Sequence, residues 1–193
     1  PVIKQNPKLE PPKPQAVVPT TADPDSLRAS AKVQLLDSIL KSRNDNDPRL
    51  DTEFLDLTTS EKNALRERYS RMQKEQFNER GTVVFLLGRE LKSTQDIQFL
   101  NDVVTEPPCL SLQNCQLPPV SSNHDDAPGT EITLVYPQIV TLKALDSFLA
   151  SAKEESDLTK AAKITLRSGE QSKNPLVSKM ARDLFRKYSG GRP

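Results

Sequence analysis

The sequence of 193 residues has no tryptophan, only six glycines and a single histidine, and aromatic residues make up 5% of it. It contains no run of about 18 apolar residues, so nothing in it predicts a membrane-spanning helix. Few aromatic residues and glycines beside 27% charged residues are typical of helices with solvated faces rather than of a β-sheet protein. The net charge of +1 argues against a dedicated nucleic-acid-binding protein.

The scarcity of histidine and glycine also limits the chemistry that the chain can perform. A histidine-dependent catalytic triad needs its base beside a nucleophile, and the lone His124 stands in a stretch with no regular apolar pattern. One histidine with the adjacent Asp125 and Asp126 does not make a metal-ligand set. The glycines form no phosphate-binding loop. We therefore expect no enzymatic activity, no metal and no cofactor.

Apolar residues recur with helical spacing through most of the chain after residue 24, and most strongly over 80–104. One stripe consists of Val83, Val84, Leu87 and Leu91, widened by Phe85 and Leu86, and a second of Ile97, Leu100, Val103 and Val104. The polar Ser93, Thr94 and Gln95 separate the two stripes, and Ser93 or Thr94 can cap the second helix. This pattern predicts two short helices packed as a hairpin.

Capping signals predict the starts of further helices. Asp23-Pro24 begins the first, and the apolar spacing after it favours a hairpin over 24–57. Thr58 and Glu61 form a capping box before one long helix over 59–79, whose dense charges we attribute to i,i+4 pairs. Later helices are predicted from about 137, from 157 to a stop at Gly169, and from the Asn174-Pro175 cap onward; only 131–136 alternates like a strand.

Two of these regions share features with a known repeat. The Leu87-Gly88 helix end, the polar turn and the pattern D-I-x-x-L-x-x-V-V resemble one HEAT repeat of the short bacterial type. The segment NPLVSKMARDLFRKY resembles the first helix of such a repeat, and Ala144 and Ala181 stand 37 residues apart at equivalent helix positions. The resemblance covers 80–104 and 137–189. It implies an all-α fold of antiparallel hairpins stacked as a short HEAT-like α-solenoid, with an irregular helical bundle as the alternative.

Prolines mark two regions outside the predicted helices. Seven of the sixteen lie at or before Pro24, and five more lie between Pro107 and Pro128. We expect residues 1–23 to be an extended, Pro-rich tether. Residues 24–193 then form a single helical-repeat domain with a long irregular loop at about 105–130.

The two cysteines lie within this loop, in the segment PPCLSLQNCQLPP. The five residues between Cys109 and Cys115 do not fit the Cys-x-x-Cys spacing of a zinc or thioredoxin-type site, which favours a disulfide. Two reduced cysteines in a cytosolic loop are the alternative. A disulfide predicts an oxidising compartment. Together with the tether, it favours a periplasmic or otherwise exported protein, with membrane attachment only through an anchor outside this chain; a cytoplasmic location is the alternative.

Because no catalytic group of residues is present, a binding function is expected. The leading hypothesis is a non-enzymatic protein-interaction or scaffolding module of the bacterial cell envelope, whose partner is another protein or a peptide. A second hypothesis is an envelope glycan- or lipid-binding protein that acts through the 105–130 loop. A nucleic-acid-binding HEAT-like protein ranks third, and no nucleic acid is expected as partner.

Overall fold

The computed structural model describes residues 23–117 and 129–190. Its helices are α1 (Pro24–Ser42), α2 (Arg49–Thr52), α3 (Thr59–Ser70), α4 (Phe77–Gly88), α5 (Thr94–Val104), α6 (Thr130–Leu134), α7 (Tyr136–Ser151), α8 (Asp157–Gly169) and α9 (Pro175–Tyr188). No strand occurs in the described ranges, so the predicted all-α class is confirmed. Within the same ranges no helix has both the length and the apolar character that crossing a bilayer requires.

The helices are arranged as stacked hairpins. The predicted hairpin over 80–104 is present as α4 and α5, and α7 with α8 forms a second one. The first helix of one hairpin packs on the first helix of the other, α4 against α7, and the second on the second, α5 against α8. On either side, α1 packs against α3, and α9 packs against α8 and α7. This order fits both architectures considered above, a short solenoid and a helical bundle.

A continuous apolar core runs through the stack. Six of the main helices each contribute a fully buried residue, namely Leu36, Leu65, Val83, Leu100, Leu142 and Leu166. Because these side chains belong to one contact cluster, the described helices form a single packed unit. Most of the predicted tether, residues 1–22, lies outside the described residues, as do residues 118–128 of the long loop with His124.

The predicted caps explain where several helices begin. The Thr58 hydroxyl accepts from the Glu61 N–H at 3.2 Å, and the Glu61 carboxylate accepts from the Thr58 N–H at 2.8 Å. Ser93 and Asp96 form a second capping box at the start of α5. Asn174 accepts from two backbone N–H groups of α9. Each box satisfies backbone donors that a helix start leaves unpaired, so these boundaries are fixed locally.

The single long helix predicted over 59–79 is wrong. It is broken into α3 and α4 by a turn over 71–76. Met72 in this turn and Phe77 after it are buried in the core. A continuous helix of this length would extend about 30 Å and could not bring α3 and α4 back against each other. Core packing therefore overrides local helix propensity here.

Two further expectations need correction. The hairpin predicted over 24–57 is not formed within that range, because α1 packs mainly against α3. The intervening segment contains only the short α2, and its Leu50, Phe54 and Leu57 are buried as part of the linker. The strand-like alternation over 131–136 is helical in the structure, where α6 and the start of α7 occupy it.

Candidate interaction grooves

Glycines allow α4 and α7 to approach closely. A Cβ atom at Gly88 would lie 2.6 Å from the Cβ of Ala144, and one at Gly81 would overlap the ring of Tyr136. Gly81 and Gly88 are two turns apart and therefore on the same face of α4. The absence of side chains on this face brings the two helices together, and the larger residues beside the contact line an open groove.

The α4–α7 groove has a volume of about 620 Å³ and is largely apolar. Leu91 and Val140 are nearly fully buried at its base. Phe85 and Phe148 line it as well, and Phe85 is 45% exposed. The sequence pattern placed Phe85 on the buried face of its helix, and this assignment is wrong. A half-exposed aromatic ring beside buried aliphatic residues is an available apolar contact surface.

Positive charge borders the α4–α7 groove. The Arg89 guanidinium lies 5.3 Å from the centre of the Phe85 ring, and its Nη1 donates to the Leu50 carbonyl at 2.8 Å. Lys143 is exposed on α7 and forms no salt bridge within the described residues. Neither Asp nor Glu lines this groove among those residues. The groove therefore favours a ligand that combines apolar and anionic groups.

The acidic turn over 44–48 borders a second, smaller depression that shares Phe85 and Tyr136 with the groove. Two of the three acidic side chains that line this depression, Asp47 and Asp51, are paired with cations. Asp47 accepts from the Arg49 guanidinium at 2.7 Å, and this hydrogen bond lowers the pKa of Asp47 to about 2. Asp51 lies 3.3 Å from Arg89. These pairs reduce the negative charge that the depression presents to the groove.

The α3–α5 groove, of about 610 Å³, is separate from both of these cavities. Its arginines are engaged in ion pairs within the chain. Arg80 donates to both carboxylate oxygens of Glu106, at 2.7 and 2.6 Å, and the Tyr69 hydroxyl donates to the same carboxylate at 3.0 Å. Burial, reinforced by the charge of Glu106, raises the pKa of Tyr69 well above its usual range. Arg66 pairs with Asp96. These cations are committed to joining helices.

The same ion pairs correct the explanation given for the charged stretch over 59–79. Only the pair between Arg71 and Glu67 has i,i+4 spacing. Arg68 instead reaches Asp37 of α1, at 2.7 Å, and Arg80 reaches Glu106 beyond α5. The charges therefore hold separate elements together, and spacing along one helix could not reveal these partners.

Asp96 forms the most buried of these ion pairs. Its carboxylate accepts from the backbone N–H groups of Lys92 and Ser93, both at 2.9 Å, from the Lys62 ammonium at 3.1 Å and from Arg66. Burial acts to raise the pKa of Asp96. The hydrogen bonds from Lys92, Lys62 and Ser93 together outweigh burial, so the pKa lies below its ordinary value.

The two cysteines are placed together, as predicted. Their Sγ atoms lie 2.18 Å apart, at disulfide distance, and their Cα atoms are separated by 4.2 Å. The Cys115 N–H donates to the Glu75 carboxylate at 2.9 Å, which attaches this part of the loop to the turn between α3 and α4. A pair at this distance is compatible with an oxidising compartment.

No protein-family model, no curated protein sequence and no solved structure matches the chain. The HEAT resemblance therefore stays a prediction. The candidate site rests on the geometry of the grooves themselves.

Proposed function

We propose that the chain is a non-enzymatic protein-interaction module of HEAT-like type, and that it binds a segment of another protein in the α4–α7 groove. The observation that carries the proposal is the half-exposed Phe85 ring, set above buried aliphatic residues and bordered by Arg89 and Lys143. Phe and Arg are both enriched at protein interfaces, and arginine is among the residues that most often dominate the binding energy.

The partner segment is an acidic amphipathic helix. Such a helix places residues at i, i+3, i+4 and i+7 on one face, so its apolar side chains can enter the groove together. Its carboxylates then face Lys143, which forms no salt bridge within the described residues, while Arg89 is already paired with Asp51 and contributes less. The attraction to Lys143 increases the association rate and selects against basic segments. The arginines of the α3–α5 groove are paired with acidic residues of the same chain, so they do not support a nucleic-acid-binding function.

The proposed compartment is the bacterial cell envelope, with the protein exported. The support for this is the cysteine pair at disulfide distance, because such pairs persist in oxidising compartments and are rare in the cytosol. The stacked hairpins support a scaffolding role in that compartment, because stacked helix pairs present extended surfaces for contacts with other proteins.

Selection from a phage-displayed library of random peptides, about 15 residues long and thus about four helical turns, tests the function. Peptides enriched on the 193-residue protein should combine Asp or Glu with large apolar residues at helical spacing. Lys143→Glu should shift the enriched sequences away from acidic residues. Lys179→Glu changes the same charge on an exposed position of α9 outside the groove and should leave the selection unchanged. Absence of enrichment, or enrichment of basic peptides by the parent protein, contradicts the proposal.

A further inference from the structure

The loop over 107–117, which contains the paired cysteines, has an unusual surface. It carries no charged residue in eleven positions. Leu110, Leu112 and Leu117 are 47%, 38% and 57% exposed. Eight large apolar side chains are exposed in the described part of the chain, and these three belong to this one loop. Ser111, between the first two, is buried, so Leu110 and Leu112 both lie on the outer side.

The loop is held in one conformation by several bonds. The cysteine pair closes it, and the Cys115 N–H is anchored on the Glu75 carboxylate at 2.9 Å. The Leu110 N–H donates to the Cys115 carbonyl at 3.2 Å, and the Ser111 hydroxyl both accepts from and donates to the Asn114 backbone, at 3.1 and 3.0 Å. These bonds satisfy backbone groups inside the loop, which lowers the cost of moving it into a medium with little water.

We infer that this loop docks onto a lipid bilayer surface by inserting its exposed leucines. The inference is independent of the α4–α7 groove. Binding hot spots between proteins are enriched in Trp, Tyr and Arg and poor in Leu, and the loop has leucines and none of those three. An uncharged loop can enter the interface without desolvating an ion, while the amides of Gln113, Asn114 and Gln116 stay hydrated at the headgroups.

Insertion of this kind is driven by apolar burial and needs no attraction between charges. Closure by the cysteine pair reduces the conformational entropy that the loop loses on docking. The sequence predicted membrane attachment through an anchor outside the chain, with lipid or glycan binding by the 105–130 loop as a separate hypothesis, and the exposed leucines support a lipid contact by the loop itself. Such a contact lies on the membrane and does not span it.

Sedimentation with phosphatidylcholine vesicles tests the inference on the oxidised 193-residue protein. The parent protein should bind, and binding should persist at about 1 M salt, where the Debye length is about 3 Å. A variant with Leu110→Ser, Leu112→Ser and Leu117→Ser should bind the vesicles at least about tenfold more weakly, because it lacks the three apolar side chains that insert into the bilayer. The matched control, Leu27→Ser, Leu55→Ser and Ile164→Ser, removes three exposed apolar side chains from other elements and should bind like the parent.

A single tryptophan then locates the contact, since the chain has none of its own. The fluorescence of Leu112→Trp should shift to shorter wavelength on addition of vesicles, and that of Ile164→Trp should not. Absence of vesicle binding, loss of binding at high salt, or equal loss in the loop and control variants overturns the inference. Saturable binding of the loop to a protein in place of vesicles overturns it as well.

Discussion

At the scale of single residues, glycines and alanines set the distance between helices. Gly88 faces Ala144 of α7, and Gly169 at the end of α8 faces Ala181 of α9, where an added Cβ would lie 3.0 Å away. Ala144 and Ala181 are the two residues whose equivalent positions were noted in the sequence. In both places an alanine on one helix contacts the glycine at the C-terminal end of another. Because glycine has no side chain, the two backbones can pack closely.

Gly88→Ala should therefore lower the free energy of unfolding, by about 1–3 kcal/mol, because its Cβ overpacks against Ala144. Thermal unfolding measures the effect, and about 2–4 °C per kcal/mol is expected for a chain of this size. Ala144→Gly alone also destabilises, by about 1 kcal/mol, because glycine is unfavourable inside a helix.

Combining Gly88→Ala with Ala144→Gly distinguishes a steric effect from a general one. If the two side chains clash as the structure indicates, the double variant should lose less unfolding free energy than the two single variants lose together. Strict additivity would contradict the close approach of α4 and α7 at this point, and with it the basis of the groove.

Cys109 and Cys115 provide a second test at this scale. Protein taken from its native source and alkylated without prior reduction should retain an unmodified, bridged pair in mass spectrometry, because the two sulfurs lie at disulfide distance. A reduced and alkylated sample is the positive control for both thiols. Two alkylated cysteines in the unreduced sample would argue for a reducing compartment and against export.

At the scale of elements, Asp96 joins α3 to the start of α5. Its carboxylate caps α5 and binds Lys62 and Arg66 of α3, with the Lys62 side chain 7% exposed and that of Asp96 2% exposed. Removing the charge leaves two cations without their partner in a poorly hydrated place. Asp96→Asn should destabilise the protein by about 3 kcal/mol at neutral pH.

The pH dependence of this effect has a defined sign. Since the folded-state pKa of Asp96 lies below its ordinary value of 3.8, its contribution is present above pH 3.8 and is lost as the pH falls through the folded-state pKa. In urea unfolding, the difference in unfolding free energy between parent and Asp96→Asn should be constant from neutral pH down to pH 3.8. Below pH 3.8 this difference should shrink. Asp157→Asn, at an exposed position in the first turn of α8, is the control. A difference that persists at the lowest pH would contradict the role of the ionised carboxylate.

The elements also show what the sequence could and could not predict. Capping boxes and apolar stripes predicted α4, α5 and the starts of α3 and α9, because these signals act within a few residues. The break at 71–76 could not be predicted from its residues, RMQKEQ, which contain neither glycine nor proline and favour a helix. Burial of Met72 within the break and of Phe77 directly after it, among residues distant in the sequence, produces the break.

The candidate groove was beyond prediction for the same reason. Phe85 stands between Val84 and Leu86, and its helical spacing gives no sign that it is half exposed. Exposure depends on how α7 crosses α4, which is set by Gly81 and Gly88. Arg89, four residues after Phe85, was the only local signal, since an arginine in that position can cover an aromatic ring.

At the scale of the whole molecule, one core supports two separate surfaces. The α4–α7 groove and the loop over 107–117 both adjoin the beginning of α7, where Tyr136 lines the groove and Pro137 lines the crevice beside the paired cysteines. The residues chosen for substitution, namely Phe85 and Lys143 in the groove and Leu110, Leu112 and Leu117 in the loop, are exposed and lie outside the buried core that joins the hairpins. Substitutions of these residues can therefore remove binding while leaving the fold intact, which makes the proposed functions separable by experiment.

The most direct measurement of the central claim is fluorescence anisotropy with two synthetic peptides of about 15 residues. Both carry Leu and Phe at i, i+3, i+4 and i+7, and the remaining positions are mainly Glu in one and Lys in the other. The acidic peptide should bind the parent protein at least about tenfold more tightly than the basic one, and Phe85→Ala should weaken its binding at least about tenfold. Leu27→Ala, which shortens an exposed side chain on α1, should have no effect. Equal affinity for the two peptides, or unchanged binding by Phe85→Ala, would contradict the account.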